Sequence, residues 1–153
     1  VEDLIDGLRG APNADVATPV LVCDGQAHRS FLEDRAAGRV GGSTAVFTND
    51  RHALYFSKEV IPYTGQTYPD DAPTPVYHHV GVYAYRPDAL RAYAEWAPGT
   101  LEPLEGLEQL RFMDNHRPVL CVEVQAKGRQ FWELNNPEDV HQIETMMRHM
   151  SLN

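Results

Sequence analysis

Strand-like and helix-like stretches follow one another along this 153-residue chain without a strict strand–helix–strand rhythm. That mixture predicts an α/β class with an antiparallel element rather than a purely parallel sheet. Val1, Leu4, Ile5 and Leu8 recur at helical spacing, and the Gly and Pro of "RGAPNAD" end that helix. "VATPVLVCD" reads as a strand and "AHRSFLEDRAAG" as a short helix closed by Gly38. "STAVFTND" and "HALYFSKEV" read as two strands of a hairpin joined at Asn49 and Asp50. "YTGQTYPDDAPTP", with three prolines and no period, predicts a long loop, the kind of segment that often carries function. "VYHHVGVYAYR" follows as one strand, "PDALRAYAEW" as a helix with Pro87 in its first turn, and "LEPLEGLEQLRFM" as the next helix. "PVLCVEV" is a strand and "NNPEDVHQIETMMRHM" a final helix, with Asn136 as N-cap, Pro137 and Asp139 in its first turn, and Val140, Ile143, Met147 and Met150 as its buried stripe. The length fits one domain, residues 1–153.

Charge narrows the partners. Thirteen Lys+Arg against 22 Asp+Glu give a formal net charge of -9, which leaves no basic stripe for a phosphate backbone and argues against nucleic acid. An anionic substrate would need a local pocket of cations or a metal. No apolar run approaches the roughly 20 residues of a membrane span, and "VEDLIDGLRG" has neither the basic nor the apolar region of a signal peptide, so a soluble, cytoplasmic chain with no membrane partner is expected. Cys23 and Cys121 both lie in apolar strand-like runs, which predicts reduced core thiols. The abrupt start, without a leading strand or an initiating Met, suggests a piece of something longer.

In "VYHHVGVYAYR", alternation puts Val76, His78, Val80, Val82 and Ala84 on one face and Tyr77, His79, Gly81, Tyr83 and Tyr85 on the other. The valine face is expected to be the core. The second face, with Gly81 leaving the backbone open between His79 and Tyr83, fits either the floor of a small-molecule site or a half-buried sheet or subunit surface. In "LEPLEGLEQLR", Glu105, Glu108, Gln109 and Phe112 share a helical face. A carboxylate beside an amide suits sugar hydroxyls, since one accepts and the other both donates and accepts. The same face also reads as a solvated surface with a Glu108–Arg111 ion pair. "GRVGGST", with Arg35 and Arg39 nearby, lacks both glycine-rich phosphate patterns and reads as a turn. His78 and His79 point apart on a strand, which argues against zinc, and there is no G-x-S-x-G nucleophile elbow.

Taken together, "ALYFSKEVIP", "HHVGVYAYRPDALRAYAEW", "LEPLEGLEQLR" and "NNPEDVHQIE" resemble, in order and spacing, the second half of the CMP-Kdo synthetase (3-deoxy-manno-octulosonate cytidylyltransferase) family. The resemblance runs from about Ala53 to the C-terminus, and "VEDLIDGL" with "ADVAT" is similar to the stretch after that family's nucleotide-site aspartate motif. It implies the C-terminal part of a nucleotide-diphospho-sugar-transferase-like mixed sheet, with an antiparallel element for dimerisation and sugar binding. It also implies a magnesium-dependent, homodimeric enzyme of lipopolysaccharide biosynthesis that joins CTP to a sugar acid and releases pyrophosphate. Sugar-acid contacts fall on His79, Tyr83, Glu108 and Gln109. Lys58 stands where the family has an arginine, a point charge in place of a fork, which opens the alternative of a different acid or a phosphonate. Asn135 stands where the family has its magnesium-ligand aspartate, and an amide brings no charge to a hard cation.

The family's CTP-phosphate segments, "PAR..S.RLPGKPL" and "GDEP", have no counterpart in these residues. The resemblance therefore implies a fragment or one half of a split enzyme, inactive alone and binding CTP only with the other half. The rival from another class is a non-catalytic sugar-acid-binding or dimerisation module. In a thermal-shift titration, CTP is expected to leave the melting temperature of this chain unchanged; a clear rise would instead favour a nucleotide site at "GRVGGST".

Overall fold

The computed structural model describes residues 1–39 and 42–125, and also Val140, His141, Ile143, Glu144, Met147 and Arg148, which are helical. The elements run α1 (Glu2–Gly10), β1 (Val16–Asp24), α2 (Gly25–Ala36), β2 (Ser43–Phe47), β3 (Ala53–Ser57), β4 (Pro73–His79), β5 (Ala84–Tyr85), α3 (Pro87–Glu95), α4 (Leu101–Glu105), α5 (Leu110–Asp114) and β6 (Val119–Glu123). They form one mixed sheet in which β2 pairs antiparallel with β3 and β4, and β4 pairs antiparallel with β1. β1 takes β5 antiparallel beyond β4 on the same edge, and β6 parallel on the other.

The sheet curls until its two ends touch. His52, just before β3, forms an isolated bridge with Leu120 of β6, and the Cys121 N–H donates to the Arg51 carbonyl at 2.8 Å. Arg51 crosses the same seam to pair with Glu123 at 2.7 Å and lies over the Phe47 ring.

Helices cover both faces. On one, Val16, Val20, Ala45, Phe56, Val119 and Cys121 of the strands pack with Ala89, Leu110 and Phe112 of α3 and α5. Phe112 gathers Tyr85, Tyr93 and Trp96 around it, with ring centroids 5.0–5.7 Å apart. On the other face, Leu4 and Leu8 of α1 cover Ala17 and Leu120, and Phe31 of α2 meets the His78 ring edge-on. Arg86 fastens α1 by donating to the Leu8 carbonyl in its last turn, one that a helix C-terminus leaves without an intrahelical partner, and to the Ala11 and Ala14 carbonyls just beyond it.

Several expectations change. The stretch Val76–Arg86 is not one strand: register runs Val20↔His79 above the break and Ala17↔Ala84 below it. Thr18 and Pro19 therefore oppose the four residues Val80–Tyr83, a wide bulge of two extra residues. The valine face is not the sole core either: Val76 and Val80 are buried but Val82, in the bulge, is exposed, and α3 and α5 cover the Tyr77–His79 face as well. β4 begins at Pro73, inside the predicted loop, where proline is tolerated at a strand's first residue. Residues 101–113 are not a single helix, since Gly106 sits at φ 61°, a left-handed turn that ends α4. Arg111 consequently forks onto Glu102 at 2.6 and 2.5 Å instead of pairing with Glu108.

Val140 and Met147 are exposed rather than part of a buried stripe, while Asn135, Asn136, Pro137, Asp139 and Met150 lie outside the described residues. Both cysteines are free and buried, as expected, and burial pushes each thiol up to about 12.

The proline-rich loop is anchored at the start of α2, where Asp24 caps the Ala27 N–H at 2.8 Å. The Gly25 and Gln26 N–H groups donate to the loop carbonyls of Ala72 and Asp70, both at 3.0 Å. A Cβ on Gly25 would overlap the Pro69 carbonyl oxygen, which cannot retreat without breaking these bonds. Gly25→Ala is expected to destabilise the fold by about 1–3 kcal/mol in urea unfolding, and a neutral result would mean that the loop is not held against the helix.

Candidate functional site

The helical corner between α4 and α5 lies against the end of β3, and the two exchange polar contacts. Glu105, the last residue of α4, accepts from the Tyr55 hydroxyl at 3.2 Å, the Ser57 hydroxyl at 2.8 Å and the Lys58 backbone N–H at 2.8 Å. Burial, with Glu105 adjacent, raises the Tyr55 phenol above its ordinary pKa. Gly106 then turns the chain, and a side chain there would meet the Lys58 ammonium 2.8 Å from its Cβ. The missing side chain makes room for a cation as well as for the turn.

Lys58 differs from every other described Lys or Arg. The others meet a carboxylate or backbone carbonyls, as with Arg39 on Asp34, Arg117 on Asp15, and Arg35 or Arg86 on carbonyls. The Lys58 ammonium has no hydrogen-bond or ion-pair partner among the described residues.

Three residues past Gly106, Gln109 is only 1% exposed. Its amide oxygen accepts from the Tyr83 hydroxyl at 3.0 Å, while its amide nitrogen is buried with no partner. Glu108 beside it is exposed, and its charge adds to the burial that pushes the Tyr85 phenol up to about 12. The structure thus gathers Lys58, Tyr83, Glu108 and Gln109 about one corner.

His79 stands behind them rather than on a wet surface. It is 2% exposed, packs edge-on against Phe56 and lies 5.7 Å from the Tyr83 ring centroid. Burial, then His78 beside it, pulls its pKa down to about 3, so the ring is neutral. The Thr18 hydroxyl lies 3.1 and 3.0 Å from the Val80 and Val82 carbonyls, to which its single proton is directed. The network then assigns the His79 Nε2–H as donor to Thr18 Oγ1 at 3.0 Å and Nδ1 as acceptor from the Ser43 hydroxyl at 2.9 Å.

Reasoning from residue spacing missed Glu105 as an organiser, because its partners Tyr55, Ser57 and Lys58 lie on another element. It also missed Thr18 and Ser43, for which no local signal existed. Arg35 does not cradle a phosphate: its donors go to the carbonyls of Lys58, Arg39 and Gly42. Among the described residues no group of three or more His, Cys, Asp or Glu could hold a metal ion, and Asn135, the expected magnesium position, lies outside them. No described helix is long and apolar enough to cross a membrane.

The cytidylyltransferase family model matches residues 29–119. The 3-deoxy-manno-octulosonate cytidylyltransferase of Maricaulis maris is 36% identical over 137 residues, 90% of this chain and 52% of that protein. That of Chlamydia pneumoniae is 32% identical over 144 residues, 94% of this chain and 50% of that protein. The solved structure of a CMP:2-keto-3-deoxy-manno-octonic acid synthetase complexed with CTP matches with a TM-score of 0.72 at 28% identity, covering 97% of this chain and 55% of that one. The chain spans about half the length of the relatives it matches.

The neutral, buried His79 makes a pH-dependent contribution. Between pH 6.5 and about 3 the unfolded ring binds a proton that the folded ring does not, so stability falls as pH drops through that window. The fall is at most about 1.4 kcal/mol per pH unit. His79→Gln is expected to flatten this component in urea melts run across the window; an unchanged slope would mean that the ring protonates freely in the fold.

Proposed function

Because the chain belongs to the cytidylyltransferase family, we propose that its residues form the sugar-acid side of an enzyme that transfers a cytidylyl group from CTP to 3-deoxy-manno-octulosonate. The names of its relatives support that acceptor, and the CTP-complexed neighbour supports that donor. In the proposed reaction the acceptor's anomeric hydroxyl gives up its proton to solvent as its oxygen attacks the α-phosphorus of CTP; a new P–O bond forms, the bond from the α-phosphorus to the α–β bridging oxygen breaks, and pyrophosphate leaves with its electrons.

The observation that carries this reading is the Lys58 ammonium, without a hydrogen-bond or ion-pair partner among the described residues, in a chain of net charge -9. A lone cation beside hydroxyl and amide donors suits an acidic sugar: the ammonium takes the carboxylate, and Tyr83, Gln109 and Glu108 take the hydroxyls. The spare N–H of Gln109 is a donor that the protein leaves unused. His79 acts from behind by holding Tyr83 in place through ring contact. The contribution of these groups is to position and to bind, which is most of what phosphoryl-transfer catalysis asks of side chains near the acceptor.

Isothermal titration with 3-deoxy-manno-octulosonate tests the reading. Lys58→Ala should weaken binding about tenfold or more, as expected for loss of a charge-assisted contact, whereas Lys58→Arg should retain it. Equal affinity in Lys58→Ala and the parent chain would remove the carboxylate from this corner.

A further inference from the structure

Resting on the reading of Lys58 as the carboxylate-holding cation, we infer that Arg35 of α2 is a positioning residue that aims the Lys58 side chain. Past Ser57 the chain leaves the β2–β3 ladder, and side chains from four elements take up its peptide groups. The Lys58 N–H donates to Glu105 of α4 at 2.8 Å, and the Lys58 carbonyl accepts from Arg35 Nε. The Glu59 N–H donates to Ser57 Oγ at 3.0 Å, and the Glu59 carbonyl accepts from Thr44 Oγ1 at 2.6 Å. Thr44 Oγ1 in turn accepts from the Ile61 N–H at 3.2 Å. The backbone groups on both sides of the Lys58 Cα are therefore fixed, which sets φ and ψ and with them the direction in which Cβ leaves the chain.

The rest of the Arg35 guanidinium shows what it is arranged to do. Its other donors reach the Gly42 carbonyl at 2.7 Å and the Arg39 carbonyl at 3.0 Å, and among the described residues it makes no ion pair. Burial opposes its charge, and the neighbouring acids Glu59, Asp34 and Glu105 only partly offset this. A planar fork matched to three carbonyls fixes geometry where a lysine could not. It ties the end of α2 and the start of β2 to the peptide that carries the unpaired ammonium, and it reaches the substrate only through that peptide.

Coupling between the two positions tests the inference, with 3-deoxy-manno-octulosonate as the titrant. Arg35→Gln should weaken binding about tenfold in the parent chain and have no further effect in a Lys58→Ala background, because residues acting through one contact are not additive. Loss of the same size in both backgrounds, or no loss in either, would overturn the positioning role. If Arg35→Gln fails to give native circular dichroism, Arg35→Lys replaces it; it keeps the charge, lacks the fork, and should show the same non-additivity. A Lys58→Ala chain that binds like the parent would overturn the carboxylate reading itself, an outcome separable from additive behaviour at Arg35.

Discussion

The site depends on the excess of Val80–Tyr83 over Thr18 and Pro19 at the middle of the sheet. A ladder cannot absorb two extra residues without orphaning backbone groups, and orphaned groups in a core are costly. The Thr18 hydroxyl serves the Val80 and Val82 carbonyls, the Val80 N–H reaches the Pro19 carbonyl, and His79 ties Thr18 to Ser43 of β2. Side chains thus link β1, β4 and β2 where the ladder opens. The bulge that results carries Tyr83 to Gln109.

Electrostatics at the corner follow a similar economy. Glu105 lies close to Lys58, yet its oxygens are occupied by two hydroxyls and a backbone N–H, so it is satisfied without pairing with the ammonium. Neutral donors stabilise a carboxylate by hydrogen bonding while leaving the adjacent cation free to attract an anion. Elsewhere in the described residues, Arg111, Arg117 and Arg51 are matched to Glu102, Asp15 and Glu123. The result, among the described residues of a strongly acidic chain, is a local point of attraction for negative charge at Lys58.

Much of this was legible in the sequence, for reasons that differ by element. The β2–β3 hairpin and α1 follow from local pattern, and the structure has both. The grouping of Tyr77, His79, Tyr83 and Tyr85 on one face survives the unforeseen bulge because the insertion is even, and a shift of two residues preserves strand parity. Burial of that face was not legible, since it depends on where α3 and α5 pack. The break at Gly106 had a cue in the glycine itself, but leucine periodicity on both sides masked it. Glu105 and Arg35 act on a peptide group far away in sequence, and such partnerships leave no trace in spacing.

The place of β1 has a consequence for how the chain becomes folded. Val16 pairs with Tyr85 on one side and Val119 on the other, so the first strand made is among the last to have both edges filled. Closing such distant partners is entropically slow, and the parallel β1–β6 pair adds the longest closure in the sheet. Before that closure, the hairpin of β2 and β3, with its local turn, is the unit best placed to form first and to act as the template on which β4, and then β1, assemble.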